Sequence, residues 1–557
     1  MDPKDIRLIV SSHTNYWSNE KNTMSKYTDA YKGQMFRKQS NEFNFGDAVI
    51  LNTSDCYAFV ESYIASLFSK APAVSVGPDA TAKGSPEIVQ TLVNRFLYDE
   101  FTTLENGIRY ALLYPCSFFK LGICEKDMAV DSIEIRSVKP WDIIVDMEAN
   151  KWNSQRFVGH RYYLPLDDAK EKWSAKEWIP AIKDDYLSNW TSSDVSNNMN
   201  FNGTLVSTFN TKKKDGSTLL TFVEIIEMYD MINDELIFFS PSIKTSDGIL
   251  ETVSPIPYRT FDDAPLAPIA PLFLSTDPHL PLKGMSSVGR VYDQLFEINN
   301  LRTVWANGLR KDARIYMAHK GSIDQEARSQ LASNIDNSIV EVNCPPDVSL
   351  GNVIIPVPQV TYSPDYAIYK AEVRADLDRG SILAPFTRGV ASSSSATEVA
   401  ALVQYSASEI GKLARARDVC IEQIAKIYIS MLHFLLDTSD DGSPELIYIE
   451  GKPTPLVPSD FLGKFTYAAS DQSASPVSAA LRKQQFTESI PVLLSLGVDK
   501  AKILELFLKE MGLPMDLAKA GASTGAQMTP VGKQMGPADV AIPVGGGAAA
   551  AAIRSGE

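Results

Sequence analysis

The sequence predicts an α+β fold, mainly helical, with several packing units. Three observations carry this. The segment 397–437 places apolar residues at alternating spacings of four and three behind cap residues, as a long helix requires. Short β-branched and aromatic runs bounded by turn residues lie between the helical segments. The chain has 557 residues, 44% hydrophobic and 22% charged, which is enough for a large core at roughly 100–200 residues per domain.

Taken in order, residues 1–70 read as helical. Thr53-Ser54-Asp55 caps a stripe of Tyr57, Val60, Ile64, Leu67 and Phe68. Pro72 stops it, and 73–76 reads as a strand. Pro86 opens a helix to about Tyr114, with Ile88, Leu92, Phe96, Leu104 and Ile108 inward. Strands are expected at 118–124, 132–138, 141–146 and 157–164, then a short helix at 166–178. Residues 187–216, rich in Ser, Asn, Thr and Lys, predict a surface loop. A hairpin is expected from 218–229 and 235–240, turning at Asn233-Asp234. Seven prolines between 253 and 283 predict an extended connector, because proline fixes φ and lacks a donor.

Residues 286–313 read as a long helix with Val288, Val291, Leu295, Ile298, Trp305 and Leu309 near one face. Extended pieces follow at 314–319, 339–343 and 353–358, with a short helix at 323–333. Ser363 then caps and Pro364 starts a helix to about Leu383, whose seam is Tyr366, Tyr369, Val373 and Leu377. Ala384-Pro385 ends it. After a small-residue loop, Ser395-Ala396-Thr397-Glu398 matches a capping box opening the 397–437 helix, roughly 60 Å long at 1.5 Å per residue. Its seam is broken by Ser406 and Arg417, which suits a helix meeting different neighbours along its length. Strands at 445–450 and 461–468, helices at 476–495 and 499–511, and a low-complexity tail from about Gly521 complete the pattern.

The function classes narrow by elimination. No run of about 18 apolar residues is apparent, so no transmembrane helix is expected, and the first residues show no secretory signal. Five scattered cysteines without a CxxC pair predict buried free thiols and no zinc site. No GxxxxGK[ST], GxGxxG after a strand, or HExxH motif occurs. The five histidines lack ligand spacing, and the one GxSxG match, Gly521 to Gly525, lies in the low-complexity tail. Acidic pairs at Asp167-Asp168, Asp184-Asp185, Asp262-Asp263 and Asp440-Asp441 fall where Asp serves turns and caps. The expectation is therefore no enzyme, no cofactor and no metal. A net charge of −15 disfavours tight DNA binding but suits DNA sliding past without sticking. Lys212-Lys213-Lys214 reads as a solvated basic run, and Arg310, Lys311 and Arg314 complement the dipole at the end of the 286–313 helix.

The element order of 284–437 resembles the portal protein, the head-to-tail connector of tailed double-stranded DNA bacteriophages. Four shorter segments add to the likeness: 52–76 (NTSDCYAFVESYIASLFSKAPAVSV), 104–123 (LENGIRYALLYPCSFFKLGI), Val138-Lys139-Pro140-Trp141-Asp142-Ile143, and 395–407 around Ala396-Thr397-Glu398. The resemblance covers most of 30–510; the region 187–216 does not match.

The resemblance implies a wing at 1–283 and 438–474, stem helices at 284–313 and 363–383, and a clip at 314–362. It implies a tunnel loop at 384–396, a wing-to-channel helix at 397–437, crown helices at 475–512 and a flexible tail at 513–557. It further implies a homo-oligomeric ring, usually dodecameric, at one capsid vertex of the virion. Double-stranded DNA would pass through it during packaging and ejection. The terminase large subunit, the head–tail adaptor, and major capsid and scaffold proteins would be partners, with no membrane. The tunnel-loop residues are Phe386, Thr387, Arg388, Gly389, Ser392, Ser393, Ser394 and Ser395, with Arg388 the expected positive contact to DNA. Lys370, Glu372, Arg374, Asp376, Asp378 and Arg379 are the expected inter-subunit ion pairs of the stem, and Arg310, Lys311 and Arg314 lie near the clip. The stem seams are expected to find no burial within one subunit. An intracellular metal-dependent nuclease, or another virion or scaffold protein without a channel, are the alternatives.

Overall fold

A computed structural model describes residues 1–36, 50–68, 70–79, 83–124, 129–173, 177–178, 222–243, 247–312, 316–318, 325–326, 328–329, 354–356, 365–381, 396–438, 445–449, 452–469 and 490. The chain divides into two compact units, Met1–Ser478 and Ala479–Glu557, and every element named below belongs to the first. The expected loop at 187–216, strand at 339–343 and tail lie outside the described residues, as do the crown helices apart from residue 490.

Helix α1 (Pro3–Tyr31) starts where the Asp2 carboxylate accepts the Lys4 N–H and Pro3 needs no donor partner. Helix α2 (Asp55–Leu67) buries Cys56, Phe59, Val60, Tyr63, Ile64 and Leu67. Tyr57, expected inside, is half exposed: α2 packs on several helices, so its buried arc is wide and centred away from that residue. Strand β1 (Val74–Pro78) follows as expected. The single helix expected over 86–114 is two, α3 (Pro86–Asp99) and α4 (Phe101–Leu113), broken at Glu100.

The strands β2 (Ser117–Ile123), β3 (Ile133–Val138), β4 (Ile143–Val145) and β5 (Phe157–Pro165) come next. A 3-10 turn at Pro140–Asp142 replaces the start of the expected fourth strand. Helix α5 (Leu166–Lys172) stops well short of 178. Strands β6 (Phe222–Asp230) and β7 (Glu235–Phe239) form the expected hairpin, with Asp234 in the left-handed region at φ 55°. Strands β8 (Ile249–Val253) and β9 (Ile269–Leu272) follow.

One antiparallel sheet has the order β4-β5-β6-β7-β8, the other β3-β2-β9. The presence of β9 corrects the expected connector: this proline-rich stretch contributes a fully buried strand whose Pro271 lies opposite Phe118. Proline is tolerated because β9 is an edge strand, where one row of N–H groups has no ladder to serve.

Helix α6 (Tyr292–Asp312) begins about six residues later than expected, and Val288 and Val291 are buried in the turn before it. Strands β10 (Tyr316–Ala318) and β11 (Ile354–Pro356) pair antiparallel. Helices α7 (Asp365–Gly380) and α8 (Ala396–Thr438) match their expected positions. Strands β12 (Glu445–Ile449) and β13 (Lys452–Leu456) form a hairpin; β13, with Pro453 and Pro455, was not anticipated. Strand β14 (Phe465–Ala469) returns to pair with β1 across the whole chain, Val74 opposite Ala469. Side chains cap parts of this two-stranded edge: Asn94 and Gln90 accept from Val74 N and Val76 N, and Glu422 accepts from Ala469 N. Such capping blocks edge-to-edge pairing.

One core joins α1 to α4, β1 to β3, β9, α6, α7, α8 and β14. The seam of α8 runs through it from Leu413 to Met431. Arg417 is only 4% exposed. It pairs with Asp418 at 2.6 Å and donates to the carbonyl of Leu67, the last residue of α2. Its stem lies among apolar groups while its head satisfies an otherwise orphaned helix-end carbonyl. Residues 410–437 are long and apolar enough to cross a membrane by length and composition, contrary to the expectation of no such segment; half of that window is buried inside the protein.

Candidate assembly surface on the helix pair

Helices α6 and α7 run antiparallel. Trp305 meets Tyr366 edge-to-face at 5.5 Å, and the Tyr366 hydroxyl donates to the Leu301 carbonyl. At the other end, a Cβ on Gly380 would stand 3.1 Å from Val291, so the absence of a side chain permits the close approach. The pair β10·β11 closes the base of the excursion between the two helices.

Burial falls along this pair. The α6 side leads from Val288, Val291 and Leu295 at 0% through Ile298 at 3% and Leu301 at 8% to Val304 at 43%. On α7, Leu377 and Val373 are buried, whereas Tyr369 is 47% and Ile368 57% exposed. The expectation that the seams find no burial within one chain is therefore overturned for the near half. There Asn299 and Thr303 also tie α6 to the 51–53 strap, Thr53 N donating to Asn299 at 2.6 Å and Leu51 N to Thr303 at 3.1 Å. Tyr369, expected on the seam, points outward.

The expected stem charges are placed as follows. Lys370 lies over the Trp305 ring at 5.2 Å. Arg379 pairs with Asp376 one turn away, at 2.7 Å, with both side chains largely exposed. Glu372 and Arg374 are exposed and Asp378 is half-buried. An exposed pair of this kind contributes about 0.3–0.5 kcal/mol, so these charges act on orientation more than on stability. Arg310 and Lys311 fall in the last turns of α6; their side chains, Arg314 and the whole set from Phe386 to Ser395 lie outside the described residues.

Two buried charge clusters escaped the sequence reading. In the first, Lys120 of β2 pairs with Glu227 of β6 and donates to His160 Nδ1 of β5 at 3.2 Å, while the Tyr229 hydroxyl donates to Glu227. Burial, then the Lys120 charge, holds His160 neutral, far below its ordinary value. In the second, α1 lies on the five-stranded sheet through His13, Thr14 and Lys21. His13 Nε2 donates to the Ile143 carbonyl at 2.8 Å, Arg161 donates to Thr14 at 2.6 Å, and Arg161 Nε stands 3.3 Å from Glu224. Burial pushes His13 down to about 3, Lys21 and Lys139 down to about 8, and Asp142 up to about 6. Only polar residues flanked by buried apolar ones, such as Lys120 between Phe119 and Leu121, hinted at these clusters.

These clusters tie β2, β5 and β6, and α1 and the five-stranded sheet, together. A cleft of about 250 Å³ lies elsewhere, between α3 and β3 over the stacked rings of Phe96 and Tyr428; there Arg95 pairs with Asp131 at 3.1 Å. Among the described residues no group of three or more His, Cys, Asp or Glu is arranged to hold a metal. Asp167 and Asp168 occupy the first turn of α5 and Asp262-Asp263 a hairpin tip, while Asp184-Asp185 and Asp440-Asp441 lie outside the described residues. Cys56, Cys116 and Cys420 are buried thiols, raised by burial.

No known family model matches the chain, and no curated protein resembles it in sequence.

Proposed function

We propose that this chain is a portal-type subunit. Copies would form a closed ring, usually of twelve, at one capsid vertex. The ring would pass double-stranded DNA during packaging and ejection, and would dock the terminase motor and then the tail adaptor. The observation that carries the reading is the exposure gradient on α6 and α7. The near half is anchored in the core, whereas Val304, Ile368 and Tyr369 are exposed apolar side chains on helices that carry charges of both signs. Exposed apolar side chains on paired helices suit contact with unlike surfaces of neighbouring copies, as a cyclic assembly requires. The order helix pair, strand-closed excursion, then a 43-residue helix supports it. The net charge of −15 suits a passage that does not retain DNA.

Electron microscopy and mass measurement of the purified protein test this. Annular particles with a central hole are expected, and a compact monomer at high concentration would end the proposal. Removing 386–394 is expected to leave rings intact while impairing DNA packaging. Divalent-metal-dependent DNA cleavage would instead favour a nuclease.

A further inference from the structure

Two turns, one of them at the end of the β6–β7 hairpin of the five-stranded sheet, share a single arginine. The β6–β7 turn ends in Asp234 at φ 55°. The Asp230 carboxylate organises it by accepting from Ile232 N at 3.1 Å and Asn233 N at 3.2 Å. The second turn is the tip of a hairpin at 258–266. Leu266 N donates to the Tyr258 carbonyl, Thr260 N to Ala264, and Asp263 N to Thr260, with Asp263 at φ 60°. This three-residue loop closes on a left-handed residue, a conformation that Asp tolerates at modest cost.

Arg259 holds both left-handed aspartates. It pairs with Asp234, donates to the Asp263 carbonyl at 2.6 Å and stands 3.3 Å from the Asp263 carboxylate. Asp234 also accepts from Ile256 N at 3.0 Å, and its carbonyl accepts from Ser254 Oγ at 3.3 Å, so a third strand of chain joins the clamp. Below, Ser430 of α8 donates to the Arg259 carbonyl at 2.6 Å. Left-handed non-glycine residues persist where the surroundings over-determine them, as here.

The clamp fixes two outward apolar side chains within two residues of itself. Ile232 is 70% and Phe261 50% exposed. Beside Phe261 stand the exposed Asp262 and Asp263. We propose that this clamped two-turn knob is a docking surface for a basic amphipathic segment of another protein. Rigid apolar tips bind with little ordering cost, and the acidic rim selects the sign of the partner. The same rim repels DNA and anionic lipid. Two such knobs facing each other would bring like charges together, which disfavours a second copy docking here through the same surface. The proposal is independent of ring formation by α6 and α7.

The test uses the full chain and a fluorescent synthetic helix of Leu and Lys, with a Leu–Glu helix of the same length as its counterpart. Anisotropy is expected to show binding of the Leu–Lys helix only. Ile232→Ser with Phe261→Ser should weaken it by about tenfold, as loss of apolar anchors does. Asp262→Asn should weaken it by about threefold, an effect that added salt erases. Both changes lie at exposed turn tips, and unchanged melting would show the fold intact. Equal affinity for the double variant, or equal binding of the Leu–Glu helix, overturns the proposal. So does self-association that Phe261→Ser abolishes, which would make the occupant a second copy.

Discussion

The near and far halves of the helix pair differ in how they are satisfied. Near the core, Leu295 is fully buried in the main hydrophobic cluster, and Asn299 and Thr303 of α6 are bonded to the 51–53 strap. Farther out, Val304, Ile368 and Tyr369 face solvent on helices of the same amphipathic pattern. Among the described residues, one end of the pair is thus buried in the core and the other exposed. If copies assemble through the exposed end, stability and assembly should respond to different substitutions along the same helices.

The largest expected effect tests how tightly the buried region is closed. Lys120→Met leaves the Glu227 carboxylate buried without its cation and should cost about 3–5 kcal/mol, read by denaturant unfolding. Adding Glu227→Gln should restore part of that loss, since the uncompensated charge is then gone. Within the helix pair, Leu295→Ala should cost about 2–5 kcal/mol through transfer and cavity terms. If it costs as little as a surface change, the near half is not part of the core.

Next in size is the pH response of the α1 cluster. His13 has a folded value of about 3, below its unfolded 6.5, so its contribution is complete above 6.5 and is lost as the pH falls toward 3. Asp142 works the other way: raised to about 6 from 3.8, it lowers stability as the pH climbs from 3.8 to 6, offsetting His13 over that range. His13→Gln should therefore flatten the loss of stability on acidification, and an unchanged acid limb would remove His13 from the account. Lys21 and Lys139, lowered to about 8, should add stability as the pH rises from 8 toward 10.5.

The smallest expected change in stability sharpens the contrast most. Ile368→Ser with Tyr369→Ser should alter the unfolding of the single chain by no more than about 0.5 kcal/mol each, as exposed positions do. Annular particles should nevertheless disappear. Persistence of rings would move the contact away from these side chains.

Periodicity made α7 and α8 legible because a 3.6-residue repeat over many turns has few alternative readings. The β6–β7 hairpin was legible through Asn233-Asp234, whose turn chemistry is local. Of the proposed stem residues, the sequence placed Lys370 to Arg379 on one helix but could not show Lys370 lying on Trp305. Strand β9 was hidden because prolines deny a strand only when both edges are paired, and edge position is not written locally. Tyr57 and Tyr369 were misplaced for a related reason: apolar character permits burial without requiring it.

The sequence by itself determined the order and type of most elements, through short-range periodicity, caps and turns. The tertiary structure alone decided which polar residues meet, such as Lys120 with Glu227, 107 positions apart, and Arg417 with Leu67, 350 apart. It also decided where burial stops along α6 and α7. Local pattern is a property of neighbouring residues, whereas desolvation depends on what the rest of the chain brings against them.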